Sequence, residues 1–453
     1  MTGIGNCTVI SFDPEIAVVE SNGMVIVGDG VVVAIGGPEL RSAYPEMEFV
    51  DAQGGLVMPG LICSHTHFYG AFARGWAVPG VPAGSFNEVL ERLWWRLDRA
   101  LSLEDVEASA EVCLAEAVRH GTTLLVDHHS SPTAIDGSLD AIAGAVKRSG
   151  LRACLCYEVS DRDGPEAALA AVRENQRFAQ SLRRDEAAAS GRLSACFGLH
   201  ASFTLSPRTL ERSVEAAGPL GIGFHVHLGE AQSDQSDSMD RYGLRVASRF
   251  ERAGILGPST IAAHCVHVDA PEIATLAATN TAVVHNPRSN MNNAVGVAPV
   301  AGMRSAGVTV GLGNDGFSMD MLEEIKVACL VHKLAAADPR AMPVDQAVAL
   351  AFNANARIAG QAFAPLFAGA DRLGRLSPGG PADLVVLEYR PTTPLTQANL
   401  AGHIVFGMDA TNVVHTMVAG RWLMRDRRLL TIDEEAVTAH SRELAARLWR
   451  RLD

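Results

Sequence analysis

Two histidines with a spacing suited to metal binding occur at residues 65 and 67. They end the short apolar segment LICSHTH and are separated by a single residue. On a β-strand, residues i and i+2 point to the same face, so His65 and His67 can approach one ion together. A catalytic zinc ion with such ligands keeps an open position for water. The pair therefore indicates a hydrolytic metal site, if further ligands join it.

Further candidate ligands and proton carriers follow other apolar runs. The segment HVHLGE offers His225 or His227 as a third ligand, and GLGND offers Asp315 as a fourth. Glu230 is predicted to shuttle protons to a ring nitrogen and a leaving group, the alternative being a glutamate that favours a helix start. His264 is predicted to hydrogen-bond the attacking water, the alternative being a structural histidine. Asp315 is also predicted to take a proton from that water.

The elements that must position these residues are eight apolar, β-rich runs separated by amphipathic stretches. The runs are residues 56–67, 122–129, 152–159, 193–200, 221–228, 260–265, 281–286 and 308–315. This alternation predicts βαβ units, and eight of them predict a (β/α)8 barrel. Functional residues of such barrels lie at the carboxyl ends of the strands. Ten of the 15 histidines fall at these run ends, which favours a functional cluster over scattered structural histidines.

Both chain ends are β-rich and flank the predicted barrel. Asn22-Gly23 and Asp29-Gly30 lie between apolar residues and predict two hairpins. Residues 1–58 and 366–453 are predicted to form one composite β-sandwich domain, with the barrel domain at 59–365. Within the barrel, Ser102 is predicted to cap a helix with Asp105 three residues on and Gly121 just past its end.

Composition narrows the classes of partner. The net charge is -13, which argues against nucleic acid as the main partner. The first residues show no pattern of a signal peptide, and no apolar run approaches the roughly 20 residues of a membrane span. Eight cysteines without a paired pattern predict reduced thiols in a cytoplasmic protein. The expected partner is a small molecule, and a homo-oligomer is compatible with the composition.

Several segments together resemble the amidohydrolase superfamily over essentially the whole chain. They are PGLICSHTH, HVHLGE, AAHCVH, VVHNPRSN, GLGNDG and the later PADLVVLEYR. Within the superfamily the chain is similar to the deaminase and chlorohydrolase branch, and HTHFYGAFARG and VDHHSSP look closest to SsnA-type aminohydrolases. The family pattern places a ligand three residues before the glutamate, which selects His227 over His225. The resemblance implies the metal ligands His65, His67, His227 and Asp315, and the catalytic residues Glu230 and His264.

The number of metal ions is predicted from the lysines. Superfamily members with two metals bridge them with a carboxylated lysine at the end of strand 4. Here that segment is GLHASF and carries His200. The chain has only three lysines, Lys147, Lys326 and Lys333, and none is near this position. One divalent ion is therefore predicted: zinc, with iron as the alternative because both suit histidine and carboxylate ligands.

Substrate contacts are predicted from the remaining polar residues near the strand ends. Arg74 and Arg288 are candidates to bind an anionic or carbonyl-bearing group. His128, His129, His200 and Asn290 are candidates to contact ring heteroatoms. Trp94 and Trp95 are interpreted as core residues of a helix, with stacking on a flat heterocycle as the alternative.

The predicted reaction is hydrolytic deamination of a purine- or pyrimidine-like heterocycle by a metal-activated water. The first alternative is a cyclic amidohydrolase that opens a ring C–N bond of a related heterocycle. The second, from a different class, is a non-catalytic scaffold or binding protein. Retention of all candidate ligands together with Glu230 favours an enzyme.

Overall fold

The computed structural model describes residues 1–13, 15, 16 and 19–452. The strands are β1 (Thr2–Val9), β2 (Val19–Gly28), β3 (Val31–Gly36), β4 (Glu48–Asp51), β5 (Leu56–Pro59), β6 (Leu61–Thr66), β7 (Thr122–Asp127), β8 (Arg152–Leu155), β9 (Leu193–Ala195), β10 (Phe197–Leu199), β11 (Phe224–Leu228), β12 (Ile261–His264), β13 (Ala282–His285), β14 (Val310–Leu312), β15 (Leu384–Leu387), β16 (Val413–Val418), β17 (Arg421–Arg425) and β18 (Arg428–Leu429).

The helices alternate with the central strands. They are α1 (Leu40–Ala43), α2 (Phe86–Val89), α3 (Trp95–Ala100), α4 (Leu103–Arg119), α5 (Ser138–Ser149), α6 (Pro165–Leu182), α7 (Glu186–Ala189), α8 (Pro207–Ala217), α9 (Gln232–Tyr242), α10 (Val246–Arg252), α11 (Ala270–Ala278), α12 (Pro287–Asn292), α13 (Val300–Ser305), α14 (Met321–Ala336), α15 (Val344–Ala349), α16 (Asn355–Phe363), α17 (Leu400–Gly407) and α18 (Glu434–Leu452). A π-helical turn, Leu90–Trp94, joins α2 to α3.

The central strands form two parallel sheets, β6-β7-β8-β9 and β10-β11-β12-β13-β14. Only Cys196 separates β9 from β10, so these two are halves of one predicted run. The first and last strands meet through the backbone, where the His67 N–H donates to the Asp315 carbonyl and the Asp315 N–H donates to the His65 carbonyl, both at 3.1 Å. The eight predicted runs thus all contain strands, in the order that a (β/α)8 fold requires.

Strands from both chain ends meet in one nine-stranded mixed sheet, as the sequence predicts. Its order is β18-β17-β16-β15-β5-β1-β2-β3, with β4 paired to β1. The ends join where β15 pairs antiparallel with β5, and β5 pairs parallel with β1. This sheet is tied to the parallel strands by a buried ion pair, in which Arg152 of β8 donates to both carboxylate oxygens of Asp383 at 2.6 and 2.9 Å.

One of the two predicted hairpins is confirmed. Asp29 and Gly30 both have positive φ, 50° and 81°, and connect β2 to its antiparallel partner β3. The hairpin predicted at Asn22-Gly23 is wrong, because β2 runs through both residues. Asn22 does adopt a positive φ of 72°, but the register of β1 against β2 shifts there, so the residue lies in a bulge rather than a turn.

The predicted start of α4 is confirmed in detail. The Ser102 side chain accepts a hydrogen bond from the Asp105 N–H, and the Asp105 carboxylate accepts one from the Ser102 N–H. This capping box satisfies two otherwise unpaired donors at the helix start. The helix ends at Arg119, before Gly121 takes a φ of +74° and the chain enters β7.

The buried core is apolar, and all eight cysteines are buried and free. This agrees with the prediction of reduced thiols. Among the described residues, no helix combines the length and the apolar character needed to cross a bilayer.

Candidate active site

Three buried histidines and the partly buried Asp315 converge at the carboxyl ends of the parallel strands. His65 and His67 follow one another on and just after β6, His227 lies on β11, and Asp315 follows β14. The Asp315 Oδ1 atom lies 3.0 Å from His67 Nε2 and 3.6 Å from His65 Nε2. His227 Nε2 lies 3.2 Å from His67 Nε2. The structure therefore brings all four predicted ligands to one point.

The outer nitrogens of two of these histidines fix which nitrogen faces the shared point. His67 Nδ1 lies 2.5 Å from the His128 carbonyl oxygen, and His227 Nδ1 lies 3.0 Å from the His200 carbonyl oxygen. A carbonyl oxygen only accepts, so each Nδ1 must carry a proton and each Nε2 faces the cluster. Metal-binding histidines are oriented by such contacts.

His65 is oriented differently, through a third imidazole. Its Nδ1 lies 2.8 Å from Nε2 of His225, while its own Nε2 is buried without a hydrogen-bond partner. A buried nitrogen with no partner is costly in a finished fold. Three imidazole nitrogens and a carboxylate oxygen around one point are a donor set that a divalent ion such as zinc would satisfy. The residues present therefore fit the implied metal.

Protonation in this cluster follows from burial and from Asp315. Burial lowers the pKa of His65 to about 3. Burial also opposes a charge on His67, but the hydrogen bond and negative charge of Asp315 raise its pKa to about 9. Against the effect of burial, His65 and His67 hold the pKa of Asp315 well below its usual range. A cation between these groups is thus electrostatically favoured, whether it is a proton or a metal ion.

Two further predicted residues lie beside the cluster. His264, the last residue of β12, has Nε2 3.6 Å from Glu230 Oε2. Its Nδ1 lies 2.9 Å from Asn290 Oδ1, an acceptor, so the unpartnered Nε2 faces inward. Glu230 accepts a hydrogen bond from Asn293 at 3.2 Å, and burial raises its pKa. A carboxyl group with a raised pKa is suited to carry a proton between water and substrate.

Backbone conformation at this site is unusual. His264 has a φ of 71° and Asp315 a φ of 57°, both in the left-handed region that non-glycine residues rarely occupy. Such strain is retained where surrounding contacts over-determine the conformation, and it clusters at functional sites. Asp315 is held on both sides by the β6 backbone, which aims its carboxylate at the histidines.

These groups form part of the wall of a cavity that opens to solvent. The described residues that line it are His67, Tyr69, Phe86, Leu90, Trp94, Trp95, Asp98, Glu158, His200, Ala201, Phe203, His227, Glu230, Ala231, Asp234, His264, Asn293 and Asp315. Aromatic and apolar side chains thus face the polar end. Trp94 and Trp95 line this cavity, which supports the stacking alternative for them.

The two arginines predicted to contact substrate lie outside that lining. Arg74 is half-exposed, and its guanidinium lies 2.8 Å from the Glu116 carboxylate. Arg288 is buried, with Nε 2.5 Å from Glu324 and a second nitrogen donating to the Ser318 hydroxyl at 2.8 Å. Both guanidinium groups are therefore committed to contacts within the protein.

Of the four side chains predicted to contact ring heteroatoms, one lines the cavity. His200 does, with Nδ1 2.6 Å from the Thr204 hydroxyl. His128 and His129 are fully buried, and their Nε2 atoms contact the Leu199 and His225 carbonyls and the Ser131 hydroxyl respectively. Asn290 contacts His264 instead, as described above, so it is placed to position that ring.

Three acidic residues in the cavity wall, Asp98, Glu158 and Asp234, were not singled out in the sequence. Glu158 lies 3.3 Å from His128 Nδ1 and 3.9 Å from His200 Nε2. Asp98, on α3, is paired with Arg162. Glu158 lies next to the end of the predicted run 152–159, so the strand-end rule could have found it. Asp98 had no comparable signal.

Comparisons with known proteins agree with the metal-dependent hydrolase site described above. Residues 56–423 match the model of the amidohydrolase family. The chain belongs to the amidohydrolase family. Deaminases are among its curated relatives, and the family match confirms the predicted resemblance to amidohydrolases.

Two curated relatives illustrate the similarity in sequence. A 5-methylthioadenosine/S-adenosylhomocysteine deaminase of Pelotomaculum thermopropionicum is 31% identical over 456 residues, covering 99% of each chain. A 5'-deoxyadenosine deaminase of Methanosarcina mazei is 32% identical over 454 residues, also covering 99% of each chain.

Solved structures show the same fold. An adenosine deaminase from Xanthomonas campestris with bound zinc has a TM-score of 0.85 at 24% identity, covering 99% of this amidohydrolase chain and 98% of its own. The zinc complex of the atrazine chlorohydrolase TrzN from Arthrobacter aurescens has a TM-score of 0.82 at 22% identity, covering 98% and 100%.

Proposed function

We propose that this amidohydrolase is a metal-dependent deaminase of 6-aminopurine compounds of the adenosine type. The observation that carries the proposal is the convergence of three histidines and Asp315 beside Glu230, next to a cavity with aromatic side chains in its lining. The names of the curated relatives, which are adenosine-derivative deaminases, support the choice of the purine.

Each polar group has a role in this proposal. A divalent ion held by His65, His67, His227 and Asp315 would lower the pKa of a water molecule so that it attacks at neutral pH. Glu230 protonates a ring nitrogen through its carboxyl group and then delivers a proton to the departing amino group. His264 holds the attacking water in line through Nε2. The C–O bond forms, the exocyclic C–N bond breaks, and ammonia leaves.

Zinc at one ion per chain is part of the proposal. Carboxylated lysine cannot bridge a second ion here, because Lys147 contacts Asp185 at the surface and Lys333 donates to backbone carbonyls beyond α14. Lys326 lies on the same helix, and none of the three lines the cavity. Metal analysis of the purified protein is expected to find one zinc per chain. Two tightly bound ions, of which the second could use His128 and Glu158, would contradict this.

Glu230→Gln provides the decisive test of mechanism. Because glutamine cannot carry the proton, we expect kcat for 5'-deoxyadenosine to fall by roughly 10²–10⁴. Metal content should not change, because Glu230 is not among the proposed ligands. The measurement is ammonia release, with metal analysis on the same sample.

The control is Glu215→Gln, the same change at an exposed position of α8. Full activity in Glu230→Gln would reject the mechanism. A product that has gained water without releasing ammonia would favour ring opening over deamination.

A further inference from the structure

The cavity contains an unusual balance of charge. Five acidic side chains line it, from Asp98, Glu158, Glu230, Asp234 and Asp315. Among the described residues, its lining includes no lysine or arginine. An anionic substituent placed away from the proposed metal ligands would be removed from water without a cationic partner, which is strongly unfavourable.

Arg162, which pairs with the lining residue Asp98, is not available to neutralise an anionic substituent. Arg162 donates to Asp98 through both terminal nitrogens, one of them at 3.3 Å, and to the Ser130 hydroxyl at 2.9 Å. Its Nε lies 3.4 Å from Asp163. The side chains of Arg162 and Asp98 are only 6% and 1% exposed, so parting them would strand two buried charges.

Two arginines outside the cavity lining also have partners within the protein. Arg92 donates to the Val81 carbonyl at 2.6 Å and pairs with Glu88 at 3.3 Å. Arg241 donates to the carbonyl of the lining residue Phe203 at 3.1 Å and pairs with Asp237.

The lining histidines do not replace an arginine either. His67, His227 and His264 belong to the proposed metal and proton-transfer end. His200 Nε2 lies 3.9 Å from the Glu158 carboxylate, so any charge on this ring is already balanced.

The orientation of the substrate decides which lining residues face its 5' substituent. The reacting amino group must lie beside Glu230 and the proposed ligands, so the rest of the molecule extends toward the opposite side. The lining residues other than the proposed ligands, Glu230 and His264 include Phe86, Leu90, Trp95, Asp98 and Phe203. Apolar surface and a carboxylate there suit thioether, methyl, hydroxyl or amino groups, and they repel carboxylate and phosphate.

We propose that this cavity accepts purine nucleosides whose 5' substituent is uncharged and rejects those whose substituent carries a carboxylate or a phosphate. The inference rests on the proposed function and separates two compounds that one curated relative's name joins. That name pairs 5'-methylthioadenosine with S-adenosylhomocysteine. 5'-Methylthioadenosine has no ionised group at neutral pH, whereas the amino-acid part of S-adenosylhomocysteine carries a carboxylate together with an ammonium group.

The test compares matched pairs on the metal-loaded enzyme. Values of kcat/KM are measured for 5'-methylthioadenosine against S-adenosylhomocysteine, and for adenosine against adenosine 5'-monophosphate. We expect each neutral compound to be preferred by on the order of 100-fold or more, as an unpaired buried charge implies. Similar values within either pair would overturn the inference.

Binding separates this inference from the proposed function. Equilibrium dialysis of adenosine and adenosine 5'-monophosphate against the Glu230→Gln enzyme needs no turnover. Selective binding of adenosine by an enzyme that deaminates no purine would reject the proposed function and uphold the inference. Equal binding of both compounds, or binding of neither, would overturn the inference.

Variants test the residues that set the charge. Asp98→Asn removes a carboxylate partner of Arg162, so the guanidinium can pair with an anion in the cavity. The preference for adenosine over adenosine 5'-monophosphate should then fall at least tenfold. Asp163→Asn is the matched control, because it removes the other carboxylate partner of Arg162 and should leave the preference unchanged. Phe203→Arg places a cation in the wall without breaking the buried pair and should also reduce it. An unchanged preference in the folded Asp98→Asn and Phe203→Arg enzymes would overturn the inference.

Discussion

Backbone carbonyls, more than neighbouring side chains, orient the imidazoles at the centre of this protein. The carbonyls of His128 and His200 accept from Nδ1 of His67 and His227, so that Nε2 of each faces the cluster. On the opposite side of the cluster, the Ser289 hydroxyl donates to Asp315 Oδ2. The proposed ligands are thus held before any ion binds, which reduces the entropy lost on binding.

Ser289→Ala tests that orientation. Loss of the hydroxyl leaves one oxygen of Asp315 without its donor, and we expect zinc affinity to fall about 10- to 100-fold. The measurement is a competitive zinc titration against a chromophoric chelator. Ser181→Ala is the control, because the Ser181 hydroxyl donates only to the Phe178 carbonyl of its own helix. Equal affinities in all three proteins would show that Ser289 does not support Asp315.

Asp234 should make stability depend on pH. Burial raises its pKa from 3.8 to about 7 in the folded protein. The folded state therefore binds the proton more tightly than the unfolded chain, so this stabilisation is complete below pH about 4 and is lost as the pH rises through 7. We therefore expect the urea midpoint of the metal-free protein, minus that of Asp234→Asn, to decrease as the pH is raised from 4.5 to 7.5.

Asp237→Asn is the control for this measurement, since Asp237 lies on the same helix with its side chain 33% exposed. The difference between the original protein and the control should stay nearly constant over the same pH range. A midpoint difference for Asp234→Asn that does not change with pH would contradict the prediction.

The sequence predicted the polar residues of the site better than their partners. His65, His67 and Asp315 could be chosen because strand ends of a parallel barrel meet at one edge, whatever the details of packing. The choice of His227 over His225 came from the family resemblance. The roles of Arg74 and Arg288 could not be chosen in this way, because a sequence does not show which carboxylate will lie nearby. Glu116 and Glu324 are those carboxylates, and they lie 42 and 36 residues away along the chain.

At the scale of elements, helix and turn predictions were correct where the sequence contained every residue of the local motif. Ser102 and Asp105 contain both halves of a capping box, and α4 begins there. Asn22-Gly23 contains only the preference for positive φ, which a bulge satisfies as well as a turn. The final helix α18 was not predicted within a β-rich chain end, because its buried face has only Leu444, Leu448 and Leu452.

Gly313 joins β14 to Asp315, and a side chain there should disturb the site. A Cβ atom would lie 2.7 Å from the His65 carbonyl oxygen and 2.9 Å from its Cβ, so the β6 backbone would have to move. We expect Gly313→Ala to lower kcat/KM for deamination about 100-fold, because small displacements of catalytic groups have effects of that size.

Gly302→Ala is the matched control. It lies in α13, where a new Cβ meets only Ile273 at an ordinary 3.6 Å, and alanine favours the helix. Its activity should equal that of the original protein. Normal activity in Gly313→Ala would contradict the prediction, because it would show that β6 and β14 can accommodate the extra Cβ without disturbing the site.

At the scale of the whole molecule, the two chain ends depend on the barrel for their position. Asp383 precedes β15, and its carboxylate is almost fully buried against Arg152 of β8. Arg152 also donates to the Gly191 carbonyl at 2.7 Å, before β9. One guanidinium thereby joins three segments that are far apart in sequence.

Arg152→Met should be strongly destabilising. It leaves the Asp383 carboxylate buried without its cation, and we expect the free energy of unfolding to fall by about 3–5 kcal/mol. Urea denaturation of the metal-loaded protein measures this. The exposed pair of Lys147 and Asp185 provides the control, since Lys147→Met should cost at most about 1 kcal/mol. Equal losses in the two variants would contradict the structural role of the buried pair.

The fluorescence of Trp94 and Trp95 should report whether the cavity is occupied. Both line the cavity, whereas the other three tryptophans, Trp76, Trp422 and Trp449, lie outside its lining. A purine ring stacked on an indole quenches its fluorescence, so occupancy of the cavity should be visible without a label. The emission of Trp76, Trp422 and Trp449 would remain as a constant background within the same spectrum. Substrate and product exchange could then be followed in real time on the unmodified chain.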